Sequence, residues 1–390
     1  MRDRRPPQLC AVGLLLVLMA CGGGDSPDPS PGPPDPPGNT PPPGSGPPIE
    51  SYTAADGTRF GVQTLVTGLQ IPWSLAFTPD SRLFITERPG RVRVYQNGQL
   101  LADPALTLTD VFTSGESGIL GLAVHPAFAT NHYVYLTYTA NRSRGPVARL
   151  MRFREVDNRL GEGVVLLDDV PAANIHNGSR VRFGPDGLLY VTFGDVAVPS
   201  AAQDAASLNG KILRLNDDGT SAGGNRFSSP VFSFGHRNPQ GIDWHPVTGD
   251  LWESEHGQID NDEINVIDSG ANYGWPVIEA GETRPDMRAP LTFFVPAVAP
   301  SGVSFYTGTR IPAFRNQLFV ATLRAMALLR VTVEGRRITG IERLVENRYG
   351  RLRDVVTGPD GFLYFCTSNR DGRTTPVGSD DRLLRIVPVN

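Results

Sequence analysis

Beyond residue 60 the chain alternates short apolar runs with polar turns, and the alternation recurs six times. A turn leads into an apolar run at Thr78-Pro79-Asp80 before Leu83-Phe84-Ile85, at His125-Pro126 before Tyr133-Val134-Tyr135, and at Gly184-Pro185-Asp186-Gly187 before Leu189-Tyr190-Val191. The step returns at His245-Pro246 before Leu251-Trp252, at Ile311-Pro312 before Leu318-Phe319-Val320, and at Gly358-Pro359-Asp360-Gly361 before Leu363-Tyr364-Phe365. A second run follows each one: Arg91–Val94, Leu150–Phe153, Ile212–Leu215, Glu263–Val266, Leu328–Val331 and Leu383–Ile386. Runs so short, bounded by Pro, Asp and Gly, fit strands rather than helices. Repeated at roughly 50–65 residues, they predict an all-β fold, a six-bladed β-propeller.

Closure is legible in the same pattern. The last repeat runs out near Val389 after its third strand, while Phe60–Val66 precedes the first repeat and has no blade of its own. The spacing predicts that Phe60–Val66 pairs with the last blade, so that no sheet edge stays open. In a four-stranded meander the first and third turns lie at one end and the other connections at the opposite end. The first set reads as plain turns, among them Asn97-Gly98 and Asp217-Asp218-Gly219. The second set carries Glu116, His176, Arg237 with Asn238, and Arg351 with Arg353 before first strands; Asp195, Glu255 to Gln258, and Arg324 follow second strands. Independent repeats thus place their ionisable groups on one rim, over the central channel.

The chain ends read differently. Arg2, Arg4 and Arg5 precede an apolar stretch from Leu9 to Ala20, too short for a permanent span, so residues 1–20 read as an export signal. Leu18-Met19-Ala20-Cys21 resembles a bacterial lipobox, with Cys21 as the acylated residue. Gly22–Pro48 holds twelve prolines in twenty-seven residues, a composition that buries no core. Residues 21–50 are therefore expected to be a tether, reaching up to roughly 80 Å at about 3.1 Å per residue. Residues 51–390 form the propeller domain, held outside the cytoplasm and touching a membrane only through the lipid. After Cys10 and Cys21 only Cys366 remains, so the body has no internal disulfide, and Cys366 reads as a small buried group on a strand. A net charge of −4 with mixed signs gives no footprint for nucleic acid.

The most specific segment lies between Gly235 and Pro276. Gly235-His236-Arg237-Asn238-Pro239-Gln240-Gly241 is followed by Glu255-His256-Gly257-Gln258, by Asn261-Asp262-Glu263-Ile264-Asn265, and by Asn272-Tyr273-Gly274-Trp275-Pro276. Loops so dense in Gly, Pro, Arg and acids carry function more often than scaffold. Over roughly Gly61–Val387 the chain resembles the soluble quinoprotein sugar dehydrogenases, which oxidise glucose and other aldoses with pyrroloquinoline quinone (PQQ).

The resemblance implies roles. His176, just before Gly178-Ser179-Arg180, matches the family's catalytic base; a neutral imidazole can take the hydroxyl proton as hydride leaves the same carbon. Arg237 and Asn238 match the pair beside the quinone oxygens. PQQ carries three carboxylates, for which Arg324, Arg351 and Arg353 are the clamps, and Glu116 takes the place of a near-site Gln. The main-chain carbonyls of Gly257 and Gln258 would hold a catalytic Ca2+, while Asp262 and Glu263 match acids of a structural calcium site. His236 is expected to buttress Arg237; His125, His132 and His245 read as structural, and His256 stays open. Asn272–Pro276 reads as a packing corner. The pattern also departs from the family: Ile175 replaces an acid beside the base, Val196 a Gln, Arg324 a Lys, and Thr292 with Val295 an aromatic pair lining the pocket. A sugar substrate and an external electron acceptor are implied, without glucose preference. A non-catalytic propeller binding glycan or protein on the same rim is the alternative, and a metal-dependent lactonase a more remote one.

Overall fold

The computed structural model describes residues 49–389, which form six antiparallel sheets. The export signal, Cys21 and most of the tether lie outside the described residues. Blade 1 is built from Pro72–Phe77, Leu83–Glu87, Arg91–Gln96 and Gln99–Leu100, and blade 2 from Ile119–Val124, Tyr133–Ala140, Val147–Val156 and Arg159–Pro171. Blade 3 takes Val181–Phe183, Leu189–Phe193, Lys211–Leu215 and Val231–Phe234; blade 4 takes Pro239–Trp244, Leu251–Glu255, Asp262–Ile267 and Thr292–Phe294. Blade 5 runs Pro300–Phe305, Leu318–Thr322, Leu328–Glu334 and Arg337–Leu344. Blade 6 contains Leu352–Thr357, Leu363–Thr367 and Leu383–Pro388, completed by Arg59–Val66 as the reading of the repeats required. A further strand, Ile49–Thr53, pairs outside Arg59–Val66 and takes in two residues of the stretch expected to be tether.

The first strands of successive blades pack on one another, blade 6 against blade 1 included, except between blades 3 and 4, where Pro239–Trp244 packs on the second strand Leu189–Phe193; together they form the inner ring. Between neighbouring blades lie six apolar clusters, one per interface. They arise because the alternating strands of each sheet present apolar side chains to both neighbours. Cys366 is fully buried between blades 6 and 1. At the plain-turn end His125 packs on Phe183 and His245 on Phe305, with ring centroids 5.0 and 4.9 Å apart.

Two repeated local features shape the channel. Five of the six first strands carry a register shift near their start, at Pro72/Leu75, Ile119/Leu122, Pro239/Gly241, Pro300/Val303 and Leu352/Asp354. Such bulges re-aim side chains, and here they involve Ser74, Gln240, Ser301 and Arg353. Gly241 and Gly302 sit where neighbouring inner strands approach; a Cβ there would meet the Ser301 carbonyl and the Asp354 carboxylate.

Candidate active site

The rim that collects the unusual residues opens into a cavity of about 650 Å3. Glu116, His176, Arg237, Gly257, Gln258, Asp262, Arg324, Arg351 and Arg353 all line it, so nine of the eleven cofactor, metal and catalytic candidates converge. Asn238 and Glu263 stand behind the wall. Asn238 is fully buried with its Oδ1 accepting the Gly178 amide at 3.1 Å, and Glu263 accepts the Ala280 amide at 3.3 Å in a small adjacent recess.

His176 occupies a left-handed backbone conformation, φ 56°, in the loop entering blade 3. A β-unbranched residue pays for that geometry in strain, which persists only where surroundings fix it. Here the Glu116 carboxylate accepts its amide at 3.1 Å, and a Cβ on Gly194 would strike the His176 carbonyl. His176 Nδ1 lies 2.7 Å from Asp195 Oδ1, while Asp195 Oδ2 accepts the Trp275 indole N–H at 2.8 Å. Burial would raise the Asp195 carboxyl; the hydrogen bond and charge of His176 outweigh it, and the group sits below its ordinary value. Asp195 is therefore placed to hold the Nδ1 proton of the neutral imidazole, the form whose lone pair falls on Nε2, a nitrogen without a partner among the described residues. An acid thus reaches the imidazole from the loop after the second strand of blade 3, while residue 175 is isoleucine. Asn272–Pro276 is more than a packing corner, since Trp275 holds Asp195 and lies under the Arg237 guanidinium, 5.3 Å from ring centroid to Cζ.

The cations are arranged around the same space. Arg237 donates to the His256 carbonyl at 3.1 Å and the Gln258 carbonyl at 3.4 Å, and Glu255 accepts its amide at 2.6 Å. His236 buttresses it through Glu255, with Nδ1 at 3.1 Å from Oε1. Arg351 is clamped to Asp371 by Nε at 2.9 Å and NH2 at 2.8 Å, and donates to the Leu323 carbonyl at 3.2 Å. Arg353, buried at the blade 6 bulge, reaches Gln240 Oε1 at 2.9 Å but Asp371 only at 3.7 Å. Its sequence neighbour Asp354 is taken instead by Arg180, 3.1 Å away in the channel below. Arg324 is half-exposed at the mouth, 3.7 Å from Asp260. His256 Nε2–H donates to the Pro300 carbonyl oxygen at 2.8 Å, and burial lowers its pKa, which keeps it neutral. Asp262 is a loop organiser: it accepts the Val298 and Ala299 amides at 2.7 and 2.6 Å and the Gly257 amide at 3.0 Å.

Charge in the cavity is unbalanced. Arg88, Arg237, Arg324, Arg351, Arg353 and Arg373 face three lining acids, Glu116, Asp262 and Asp371, in a chain of net charge −4. Burial, offset only in part by Asp371, pulls the Arg353 guanidinium below its ordinary value, and burial does the same to Arg237. Arg353 Nε, Arg237 Nε and Asn238 Nδ2 are buried donors without acceptors among the described residues. Unmatched donors and excess buried cations fit a flat polyanion. Gly257 and Gln258 both line the cavity, and the backbone at Gly257 is so tightly folded that a Cβ would strike the Asp260 carbonyl; a hard cation there would take main-chain oxygens of this loop. The donor set therefore fits PQQ with calcium. Apolar wall comes from Ile175, Ile259, Ala297 and Ala299.

Sequence reasoning missed Arg88, Asp371 and Arg373 as members of the site, and named Asp195 only as a rim residue. Arg373 pairs with Glu116 at 3.2 Å. The signal was available: Arg88 and Asp371 follow second strands, as Asp195 does.

The family model described as Glucose / Sorbosone dehydrogenase matches residues 69–384. The aldose sugar dehydrogenase YliI of Escherichia coli is 31% identical over 341 residues, covering 81% of this chain and 92% of its own. The quinoprotein glucose dehydrogenase B of Acinetobacter calcoaceticus is 27% identical over 441 residues, covering 85% and 89%. The PQQ-bound aldose sugar dehydrogenase of Streptomyces coelicolor superposes with a TM-score of 0.76 at 34% identity, covering 88% of this chain and 99% of that one.

Proposed function

Because the chain belongs to the glucose/sorbosone dehydrogenase family, we propose that it oxidises an aldose or related sugar at a hydroxyl-bearing carbon, using PQQ and calcium held in the rim cavity. The observation that carries the reading is the convergence of one oriented imidazole with Arg237, Arg351 and Arg353 in a single cavity. When bound, PQQ supplies a two-electron hydride sink that an external acceptor re-oxidises.

The chain's residues supply the rest. His176 Nε2 takes the hydroxyl proton, and Asp195 stabilises the imidazolium that forms. Arg237 presents a desolvated cation where negative charge develops, stiffened by Trp275 beneath it. Arg351 and Arg353 bind carboxylates, with Asp371 holding the plane of Arg351 and Gln240 that of Arg353; Arg324 at the mouth adds the third charge. The Gly257 and Gln258 carbonyls hold calcium. The apolar wall from Ile175 to Ala299 orients the sugar and excludes water from the imidazole. We further propose an extracytoplasmic lipoprotein, anchored through Cys21; support comes from the basic start, apolar stretch and Cys of residues 1–21 and the proline-rich stretch after them.

Apo protein mixed with PQQ and Ca2+ and assayed with a dye acceptor over a sugar panel tests the function. Activity is expected with aldoses, and His176→Ala should lose about 10²–10⁴-fold in kcat while retaining the cofactor. Undiminished turnover in that variant would refute the base assignment.

A further inference from the structure

The interface between blades 3 and 4 has the smallest of the six apolar clusters and carries buried carboxylates instead. In blade 4, Glu253 stands directly opposite Asn265, and Glu255 opposite Glu263, on the neighbouring strands Leu251–Glu255 and Asp262–Ile267. Alternation along each strand therefore puts all four side chains on one face. His236 closes that face from the loop leaving blade 3, with its ring stacked on Tyr273 at 4.9 Å. His236, Glu253 and Glu255 are each at least 95% buried.

The donors do not suffice for the acceptors. Glu255 Oε2 takes the Arg237 and Asn238 amides at 2.6 and 3.3 Å, and its Oε1 faces His236 Nδ1 at 3.1 Å. A single amide, Asn265 Nδ2, spans Glu253 Oε2 at 3.1 Å, Glu263 Oε2 at 3.3 Å and Glu255 Oε1 at 3.5 Å. Glu253 Oε1 has no hydrogen-bond partner among the described residues, in a residue only 1% exposed. Three carboxylates share one imidazole, one side-chain amide and three backbone amides, and none of the backbone amides goes to Glu253. An uncompensated carboxylate in so dry a place is costly. His236, Glu253 and Glu255 each offer a ligand atom, and these atoms lie within 4.8 Å of one another.

We propose that His236 Nδ1, Glu253 and Glu255 form a binding site for a small divalent cation that accepts nitrogen as well as oxygen ligands, zinc being the probe. Calcium, as expected for the rim cavity, takes about six to eight oxygens and gains little here from an imidazole in a closed pocket. Zinc is satisfied by about four nitrogen and oxygen ligands. Two ligand atoms at about 2.0–2.1 Å from a tetrahedral zinc stand about 3.3 Å apart, close to the 3.1 Å between His236 Nδ1 and Glu255 Oε1. Ser233 Oγ lies 2.8 Å from His236 Nε2 and takes that N–H, leaving the Nδ1 lone pair for the ion. Asn265 can turn its carbonyl oxygen to the fourth position. The ion neutralises Glu253 and Glu255, and through Glu255 it stiffens the backbone of Arg237 and Asn238. The site is separate from the dehydrogenase reading, and neither needs the other.

Full-length protein free of PQQ, stripped with a chelator and titrated with zinc, provides the test, read by metal content after gel filtration and by the thermal unfolding midpoint. One zinc per chain and a midpoint that rises with zinc are expected. Glu253→Gln should match or exceed the midpoint of stripped wild type, because a buried charge is gone, and should weaken zinc about 100-fold. Should Glu253→Gln fail to fold, His236→Asn with the same readouts takes its place. A folded, stripped wild type whose midpoint ignores zinc, or variants that retain zinc as wild type does, would overturn the site and leave protons to balance the cluster. Neither readout involves PQQ or sugar, so failure here is distinguishable from failure of the dehydrogenase reading.

Discussion

Asp195 does two things for His176: it fixes the tautomer and it stabilises the charge that follows proton transfer. Asp195→Asn keeps the volume but offers an amide that can present its donor to Nδ1, which puts the imidazole proton on the wrong nitrogen. A fall in kcat of about 10²–10⁴-fold is expected, with KM changed far less, measured by steady-state kinetics. The same residue makes a statement about stability. Its folded-state pKa lies below the ordinary 3.8, since the His176 hydrogen bond overcomes the opposing effect of burial. A depressed carboxyl contributes stability that is complete above its unfolded value and is lost as pH falls through the folded one. Denaturant unfolding should therefore show wild type more stable than Asp195→Asn at pH 6, with the gap shrinking at pH values below 3.8. A gap that widens on acidification would contradict the arrangement.

The closing strand is the element on which the ring depends. Phe60, 1% exposed, packs on Phe314 across the interface of blades 5 and 6 with ring centroids 5.7 Å apart, while Phe293 on the outer strand of blade 4 is 44% exposed. Phe60→Ala should cost about 3–5 kcal/mol in denaturant unfolding, whereas Phe293→Ala should stay within about 0.5 kcal/mol. Both side chains are phenylalanines on outer strands of their blades, so the contrast tests burial at the closing interface rather than side-chain type. The strands themselves were legible because each is announced by a Pro, Asp or Gly turn and alternates thereafter. The bulges were not. They depend on how inner strands crowd around the axis, and nothing local in Pro239-Gln240-Gly241 or Leu352-Arg353-Asp354 marks them. Arg353 thereby sits inside a strand rather than in the loop before it. The site was legible in part. His176 and Arg237 stood out through resemblance, but Asp195 reads as an ordinary loop acid until the fold brings it beside the imidazole. Asp371-Gly372 likewise reads as a turn until it meets Arg351.

At the scale of the molecule, a propeller brings loops that are remote in sequence to one mouth, and here that mouth concentrates positive charge in an otherwise acidic chain. Six arginines against three acids make the cavity an attractor for polyanions. Affinity for PQQ should therefore weaken as ionic strength rises. Arg353→Gln should lose about 2–5 kcal/mol of that affinity by calorimetry, because a buried charge contact disappears. Arg324→Gln, at the solvated mouth, should lose about 1 kcal/mol or less. The measurement that bears most directly on the account is a spectroscopic titration of the calcium-loaded protein with PQQ, followed by addition of an aldose. One cofactor should bind per chain and be reduced on sugar addition in wild type, and bind without being reduced at a comparable rate in His176→Ala. A chain that takes up no PQQ in the presence of calcium would contradict the account.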